Sequence, residues 1–237
     1  SVAMHTNIAC ENCSLIRLCI PQGMSRQELS RLDGIMIRHD PIKRGTDWLH
    51  CGEKFSSIFA VRSGCLKTYV VSASGEEHIC SFHLPGEIIG LGSIDNVNYA
   101  YSVKAVQTSS LCEIPFNKLD SVARQNPALY RQLLRIMSKE IDSEQKLINT
   151  LGRTTADERV AAFLLNISGR FAQRGFSAQE FILGMPRADI GNYLGLAVET
   201  VCRVFSRLNK EQIIDARGKH IIIKDLQHLH ALADLSY

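Results

Sequence analysis

The 237-residue chain is 45% hydrophobic and 22% charged and carries a net charge of +3. That balance excludes a disordered or low-complexity chain, and no apolar run reaches the roughly 18 residues of a membrane span. The mild basic excess permits nucleic-acid binding without requiring it. The length suits two ordinary domains. No basic-then-apolar leader opens the chain, and Ser1 stands first in place of a methionine, which leaves the natural start open. Eight cysteines without an export signal point to a reducing cytoplasm, where metal binding or catalysis outranks disulfides.

The stretch IACENCSLIRLCI, residues 8–20, gathers Cys10, Cys13 and Cys19. Three readings compete there: half of a disulfide framework, a set of metal ligands, or small hydrophobes met by chance. In MSRQELSRLD, Ser25 and Glu28 stand at capping-box spacing, which predicts a short helix. From about residue 40 to 116 the texture turns to short β-rich runs. They are broken by turn signals at Ser63-Gly64, Ser74-Gly75 and Pro85-Gly86, a pattern that predicts a barrel or jelly roll.

One long helix follows, opening at Pro127 and stopping near Gly152. Tyr130, Leu134, Met137, Ile141, Glu144, Ile148 and Leu151 alternate at spacings of four and three. This is a coiled-coil seam with one charged member. It predicts contact with a second copy of the helix; the alternative is a helix packed along its own barrel.

A second capping box, Thr155 and Glu158, precedes RVAAFLLNISGRFAQRG. Then PRADIGNYLGLAVETVCRVFSRLNKEQII predicts a helix near 187–194, a turn at Gly195-Leu196-Ala197, and a second helix near 198–209. Val198, Val201, Phe205 and Leu208 form the apolar face of the second helix. Glu199, Cys202, Arg203, Ser206, Arg207 and Lys210 face the other way. A major groove needs such a face, with arginine for guanine N7 and O6 and a carboxylate to accept from cytosine N4. IIDARGKHIIIKD then reads as strand, turn and strand, with Arg217 and Lys219 at a tip suited to phosphates. The alternative is a structural helical hairpin with a solvated polar face.

In this order, barrel, long helix and winged helix-turn-helix resemble the CRP/FNR superfamily of bacterial transcription regulators. The segments FAVRSGCLKTY, FHLPGEIIGL, CEIPF, ADIGNYLGL and VETVCRVFSRL are similar to the FNR branch, the fumarate and nitrate reduction regulators. The resemblance implies an α+β chain in four parts. These are a cluster-binding segment 1–24, a β-barrel sensor domain 25–126, a dimerisation helix 127–152, and a winged helix-turn-helix 153–237. It implies a [4Fe-4S] cluster held by Cys10, Cys13, Cys19 and Cys112, a homodimer joined through Met137, Ile141, Glu144, Ile148 and Leu151, and a two-fold site with TTGAT-like halves. It also implies base reading by Glu199 and Arg203, with Cys202 where the branch usually has serine. Arg207 and Lys219 join these as DNA-binding candidates. RNA polymerase is an implied partner, through loops near Ser72–Gly75 and Arg174-Gly175.

Four soft thiolates suit an iron–sulfur cluster, and zinc uses the same set. Cys51, Cys65 and Cys80 are expected as buried small hydrophobes. The rival function is a cyclic-nucleotide-gated regulator of the CRP type, with zinc or no metal. Gly86-Glu87 fits that pocket, but NYAYSVKAV, near Tyr101, lacks the arginine a buried phosphate needs. No nucleophile triad or phosphate loop suggests an enzyme.

Overall fold

The computed structural model describes residues 9–13, 19–21, 23–152 and 155–233, so the expected cysteine segment 1–24 lies partly outside the described residues. The chain divides into two compact units, residues 1–140 and 141–237, with the boundary inside the long helix.

The first unit opens with a 3-10 turn at Cys10–Asn12 and helix α1 (Arg26–Ile35). The capping box forms: the Ser25 hydroxyl accepts from the Glu28 amide at 3.4 Å, and the Glu28 carboxylate accepts from the Ser25 amide at 2.6 Å. The strands are β1 (Ile37–Arg38), β2 (Asp47–Leu49), β3 (Ser57–Ser63), β4 (Leu66–Val71), β5 (Glu77–His83), β6 (Ile88–Ile89), β7 (Ser102–Ala105) and β8 (Ser110–Pro115). They form two four-stranded antiparallel sheets, in the orders β1-β8-β3-β6 and β2-β7-β4-β5. The expected turns at Gly64, Gly75 and Gly86 separate β3 from β4, β4 from β5, and β5 from β6.

The first sheet is buried on both faces. Phe59 and Val61 of β3 join Leu66, Val103 and Leu111 in the barrel core. Their neighbours Ile58 and Ala60 join Cys112, Ile114, Leu32 and Leu119 in a second core outside the barrel. Alternation with period two assigns each residue its side. A strand buried on both faces reads as one continuous apolar run.

Helices α2 (Phe116–Arg124) and α3 (Pro127–Leu151) complete this unit, α3 continuing into the next. Leu129 and Gln132 of α3 are buried, and Leu133 and Ile136 pack on the outer core. The heptad seam uses a different stripe. Tyr130, Leu134, Ile141, Ile148 and Leu151 are exposed, Ile148 by 68%. Met137 alone among the seam residues packs on the outer core. The helix therefore does pack on its own unit, as the alternative reading had it, but by a stripe that leaves most of the seam unburied.

The second unit holds α4 (Ala156–Gln173), β9 (Glu180–Ile182), α5 (Arg187–Leu194), α6 (Val198–Lys210), β10 (Ile214–Arg217), β11 (His220–Ile223) and α7 (Leu226–Leu232). Thr155 caps α4 by accepting from the Glu158 amide at 3.2 Å. Two elements were not anticipated. β9 pairs with β11, making a three-stranded sheet in the order β10-β11-β9, and Asp225 caps α7. A three-residue strand and a seven-residue helix are too short to show a period.

The turn between α5 and α6 needs two glycines. Gly195 closes α5 in the left-handed conformation, at φ 66°. Gly191 lies inside α5, where the backbone of the turn crosses it; a Cβ there would stand 2.6 Å from the Leu196 carbonyl oxygen. The Leu196 amide donates to the Gly191 carbonyl at 2.8 Å across the same approach. Gly191→Ala should therefore destabilise this unit by about 1–3 kcal/mol through overpacking. Faster hydrogen exchange at the α6 amides of the full chain, against unchanged exchange in β3 and β8, is the expected reading.

Candidate functional site

Cys10, Cys13, Cys19 and Cys112 line one small, mostly apolar cavity with Met36 and Ala60. Strand register puts Cys112 there: on β8 it pairs with Ala60 of β3 and Arg38 of β1. Its side chain takes the outer face of the sheet, toward α1 and the N-terminal turn. Cys10 is held from two directions. Its amide donates to Asp33 Oδ1 at 2.9 Å, and its Sγ lies 3.2 Å from Met36 Sδ. Cys10 and Cys112 are each 7% exposed, while Cys13 and Cys19 are partly covered. Among the described residues, no three Cys, His, Asp or Glu side chains stand at metal-ligating distances.

Burial raises the thiol pKa values here. Cys10 is pushed up to about 12, first by burial and then by the hydrogen bond and charge of Asp33. Cys19 and Cys112 are also raised, mainly by burial. Arg62 and Arg38 act the other way on Cys112. Arg38 is fixed by an ion pair with Asp33, and its buried Nε–H has no hydrogen-bond partner among the described residues. A donor set of four soft thiols, with two guanidiniums beside it and one N–H unspent, fits a thiolate-bound metal centre. The other cysteines correct the sequence expectation. Only Cys65 is buried; Cys51 and Cys80 are exposed, because each falls on a solvent-facing position of its turn or strand.

The stretch 98–105 contains no arginine. Tyr99 is 3% exposed, and its hydroxyl donates to the Ser57 carbonyl at 2.6 Å. Glu87 accepts from the Leu84 amide at 2.8 Å. Lys104, the only cation between residues 98 and 105, sits 3.5 Å from Asp47 and 3.7 Å from Glu77.

In the second unit α6 is amphipathic as expected, with Val204 added to the buried Val201, Phe205 and Leu208. Val198 is 37% exposed and lies at the edge of that face. Glu199, Cys202, Arg203, Ser206, Arg207 and Lys210 are all exposed. Arg203 donates to Thr200 Oγ1 at 3.2 Å. Arg207 is held in an ion pair with Asp157 of α4, and Arg217 at 3.0 Å from Asp215. Lys219 is exposed at the wing tip. Sequence reasoning missed Gly191, Arg187 and Asn209. A glycine inside a helix costs about 1 kcal/mol against alanine, and that cost was the available signal for Gly191. Arg187 and Asn209 show their roles only through tertiary contacts.

A β-barrel, a long helix and a winged helix-turn-helix with an exposed, cation-bearing second helix define a DNA-binding transcription regulator. Residues 158–232 match the Crp-like helix-turn-helix domain, and residues 41–126 match the cyclic nucleotide-binding domain. The chain is 49% identical to the transcriptional activator protein Anr of Pseudomonas protegens, over 97% of this chain and 94% of that one. It is 44% identical to the fumarate and nitrate reduction regulatory protein of Yersinia pestis, over 95% and 90%. The structure of FixK2 from Bradyrhizobium japonicum superposes with a TM-score of 0.77 at 28% identity, covering 86% of this chain and 100% of that one. The chain belongs to the CRP/FNR family of transcription regulators, which are not enzymes.

Burial and raised pKa should both slow alkylation of the cavity thiols. In reduced, metal-free protein at neutral pH, iodoacetamide should modify Cys51, Cys80 and Cys202 well before Cys10 and Cys112. Peptide mass spectrometry over a time course reads the order, and raising the pH toward 12 should narrow the gap at Cys10.

Proposed function

We propose that the chain is an oxygen-responsive transcription regulator in which Cys10, Cys13, Cys19 and Cys112 hold a [4Fe-4S] cluster. One observation carries this reading: the β8 cysteine and the three N-terminal cysteines, far apart in sequence, line the same cavity. When bound, the cluster supplies an oxygen-labile tie between the N-terminal segment and β8. The chain's own residues prepare for it. Asp33 fixes the Cys10 backbone and Arg38 together. Arg38 and Arg62 favour thiolate at Cys112, the form a metal ligand takes. A reducing cytoplasm is the compartment that suits a chain of eight cysteines.

The cyclic-nucleotide reading has the domain match at 41–126 and Gly86-Glu87 behind it, but no arginine in the 98–105 stretch. An anionic phosphate buried near Tyr99 would meet no guanidinium from the 98–105 stretch. A zinc centre on the same thiols is the metal alternative against which the cluster is tested.

The exposed seam of α3 is the proposed homodimer interface, with Ile141, Glu144, Ile148 and Leu151 at its open end and Met137 nearer the barrel. A dimer presents two copies of α6 to a two-fold site with TTGAT-like halves. Glu199 and Arg203 read base edges, Cys202 lies between them, and Lys219 reaches phosphate. Arg207 serves DNA only by leaving Asp157. The exposed turn at Ser72–Gly75 and the turn at Arg174-Gly175 are the proposed RNA polymerase surfaces.

Replacing any one of Cys10, Cys13, Cys19 and Cys112 by Ala should abolish iron and sulfide loading and activity in vivo. The same change at Cys51, Cys65 or Cys80 should not. Stoichiometric zinc without sulfide in anaerobically purified protein defeats the cluster assignment. Arg203→Ala should weaken specific binding by about 1–3 kcal/mol, whereas Cys202→Ser should shift base preference only mildly. Selection from random DNA by the wild type tests both, and a consensus unlike TTGAT counts against the half-site. At Glu144, two facing carboxylates in a parallel dimer repel and keep dimerisation marginal. Glu144→Ala should sediment as a DNA-binding dimer in air, without a cluster; a monomer under those conditions removes Glu144 from the switch.

A further inference from the structure

The wing is joined to the recognition helix by two side chains that the DNA-reading face does not use. On the β10 strand, Asn209 of α6 forms an amide pair with the backbone of Ala216: its Oδ1 accepts from the Ala216 amide at 2.7 Å, and its Nδ2 donates to the Ala216 carbonyl at 3.1 Å. At the turn that follows, Arg187, the first residue of α5, spans two elements. Its guanidinium carbon lies 3.9 Å from the ring centroid of Phe205, on the buried side of α6. One of its terminal nitrogens donates to the Gly218 carbonyl at 2.8 Å, in the turn between β10 and β11. Gly218 and Lys219 make a two-residue hairpin turn, since Arg217 pairs with His220.

We propose that Arg187 is a positioning residue that fastens the wing turn to the recognition helix, so that both meet DNA as one surface. The reasons are geometric and chemical. A planar guanidinium stacks face-on to a ring while keeping donors free at its edge, which a lysine ammonium cannot do. Two-residue hairpin tips have no core of their own and move unless something else holds them. The Asn209 pair anchors β10 at Ala216, two residues short of Gly218, and does not reach the turn itself, where Lys219 stands. The Gly218 carbonyl is next to Lys219, so holding it sets where that ammonium points. Arg187 is also half-buried against Phe205. Burial lowers its pKa, an effect the nearby Cys202 thiol opposes. Fastening differs from a phosphate contact in what it predicts. A phosphate ligand contributes charge, which lysine also supplies; a fastener contributes shape.

The inference rests on the reading of α6 and the wing as the DNA-facing elements, so the test has one arm without DNA. Arg187→Lys and Phe205→Leu are made singly and together in the full chain. In the DNA-free protein, backbone order parameters at Gly218 and Lys219 should fall from the rigid range of about 0.85 toward about 0.6 or below. Those at Ile221 and Ile223 should stay at the wild-type level. On a site selected by the wild-type chain, under anaerobic conditions, each single variant should bind roughly tenfold more weakly, about 1.4 kcal/mol. The double variant should be no weaker than the weaker single one. The slope of log affinity against log salt should not change, whereas Lys219→Ala should reduce it by about 0.9 per chain. Wild-type order at Gly218 in Arg187→Lys overturns the proposal. So does an affinity loss accompanied by a smaller salt slope, which makes Arg187 a phosphate ligand. Loosening of Ile221 and Ile223 together with the tip overturns it too, because the defect is then general instability. If the chain selects no DNA site, the order parameters alone decide the fastening and the DNA reading fails separately.

Discussion

The outer face of β3 and β8 is the surface on which the first unit depends. Ile58, Ala60, Cys112 and Ile114 project from it into one core that also receives Cys10 and Ile20 from the N-terminal segment, Leu32 and Met36 around α1, and Leu129 from α3. A sheet needs cover on an apolar face, and here that cover is the cysteine segment and the first turns of the long helix. The two are thus parts of one packing unit. Any change in how Cys10 and Ile20 sit is felt by the residues that hold Leu129, because close-packed interiors transmit displacement instead of absorbing it. Ala60 matters for the same reason. It is the register partner of Cys112, and its small side chain leaves room for the cavity the four cysteines line.

The long helix answers two requirements with two stripes. Leu129, Gln132, Leu133 and Ile136 bind it to the outer core, and Gln132 Nε2 reaches the Cys19 carbonyl at 3.4 Å. The heptad residues lie on another stripe and are exposed. A helix with one apolar stripe spent on its own unit and another open has a physical means of linking the cysteine segment to an association surface. In the proposed dimer, Glu144 within the open stripe would keep that association from being unconditional.

In the second unit, rigidity is built around α6. Val201, Val204, Phe205 and Leu208 fix its inner face, Gly191 lets α5 approach closely, and Asn209 and Arg187 tie it to the wing. Two cations are themselves engaged, Arg207 of the outer face of α6 with Asp157 and Arg217 of the wing with Asp215. Those pairs are exposed and each contributes little to stability.

The sequence by itself determined the elements whose signals are local. Capping residues at Ser25 and Thr155, the glycines that break the barrel strands, the proline that opens α3 and the heptad spacing along it all act within a few residues of themselves. For that reason they were legible, as was the amphipathic face of α6. The three cysteines near the N-terminus were legible as a cluster of thiols, and Cys112 only through resemblance, since nothing in its own surroundings on the chain marks it. Tertiary structure decided what depends on register and on crossing elements. Pairing with Ala60 turns Cys112 outward, while neighbouring Leu111 turns into the barrel. Cys51 and Cys80 are exposed where the sequence suggested burial: Cys51 stands in a turn after β2, and for Cys80 the alternation of a strand says that two faces differ and not which is covered. β9 was too short to carry a period, and Arg187 resembles any surface arginine until Phe205 and Gly218, distant in sequence, are brought to it by the packing of α5, α6 and the wing.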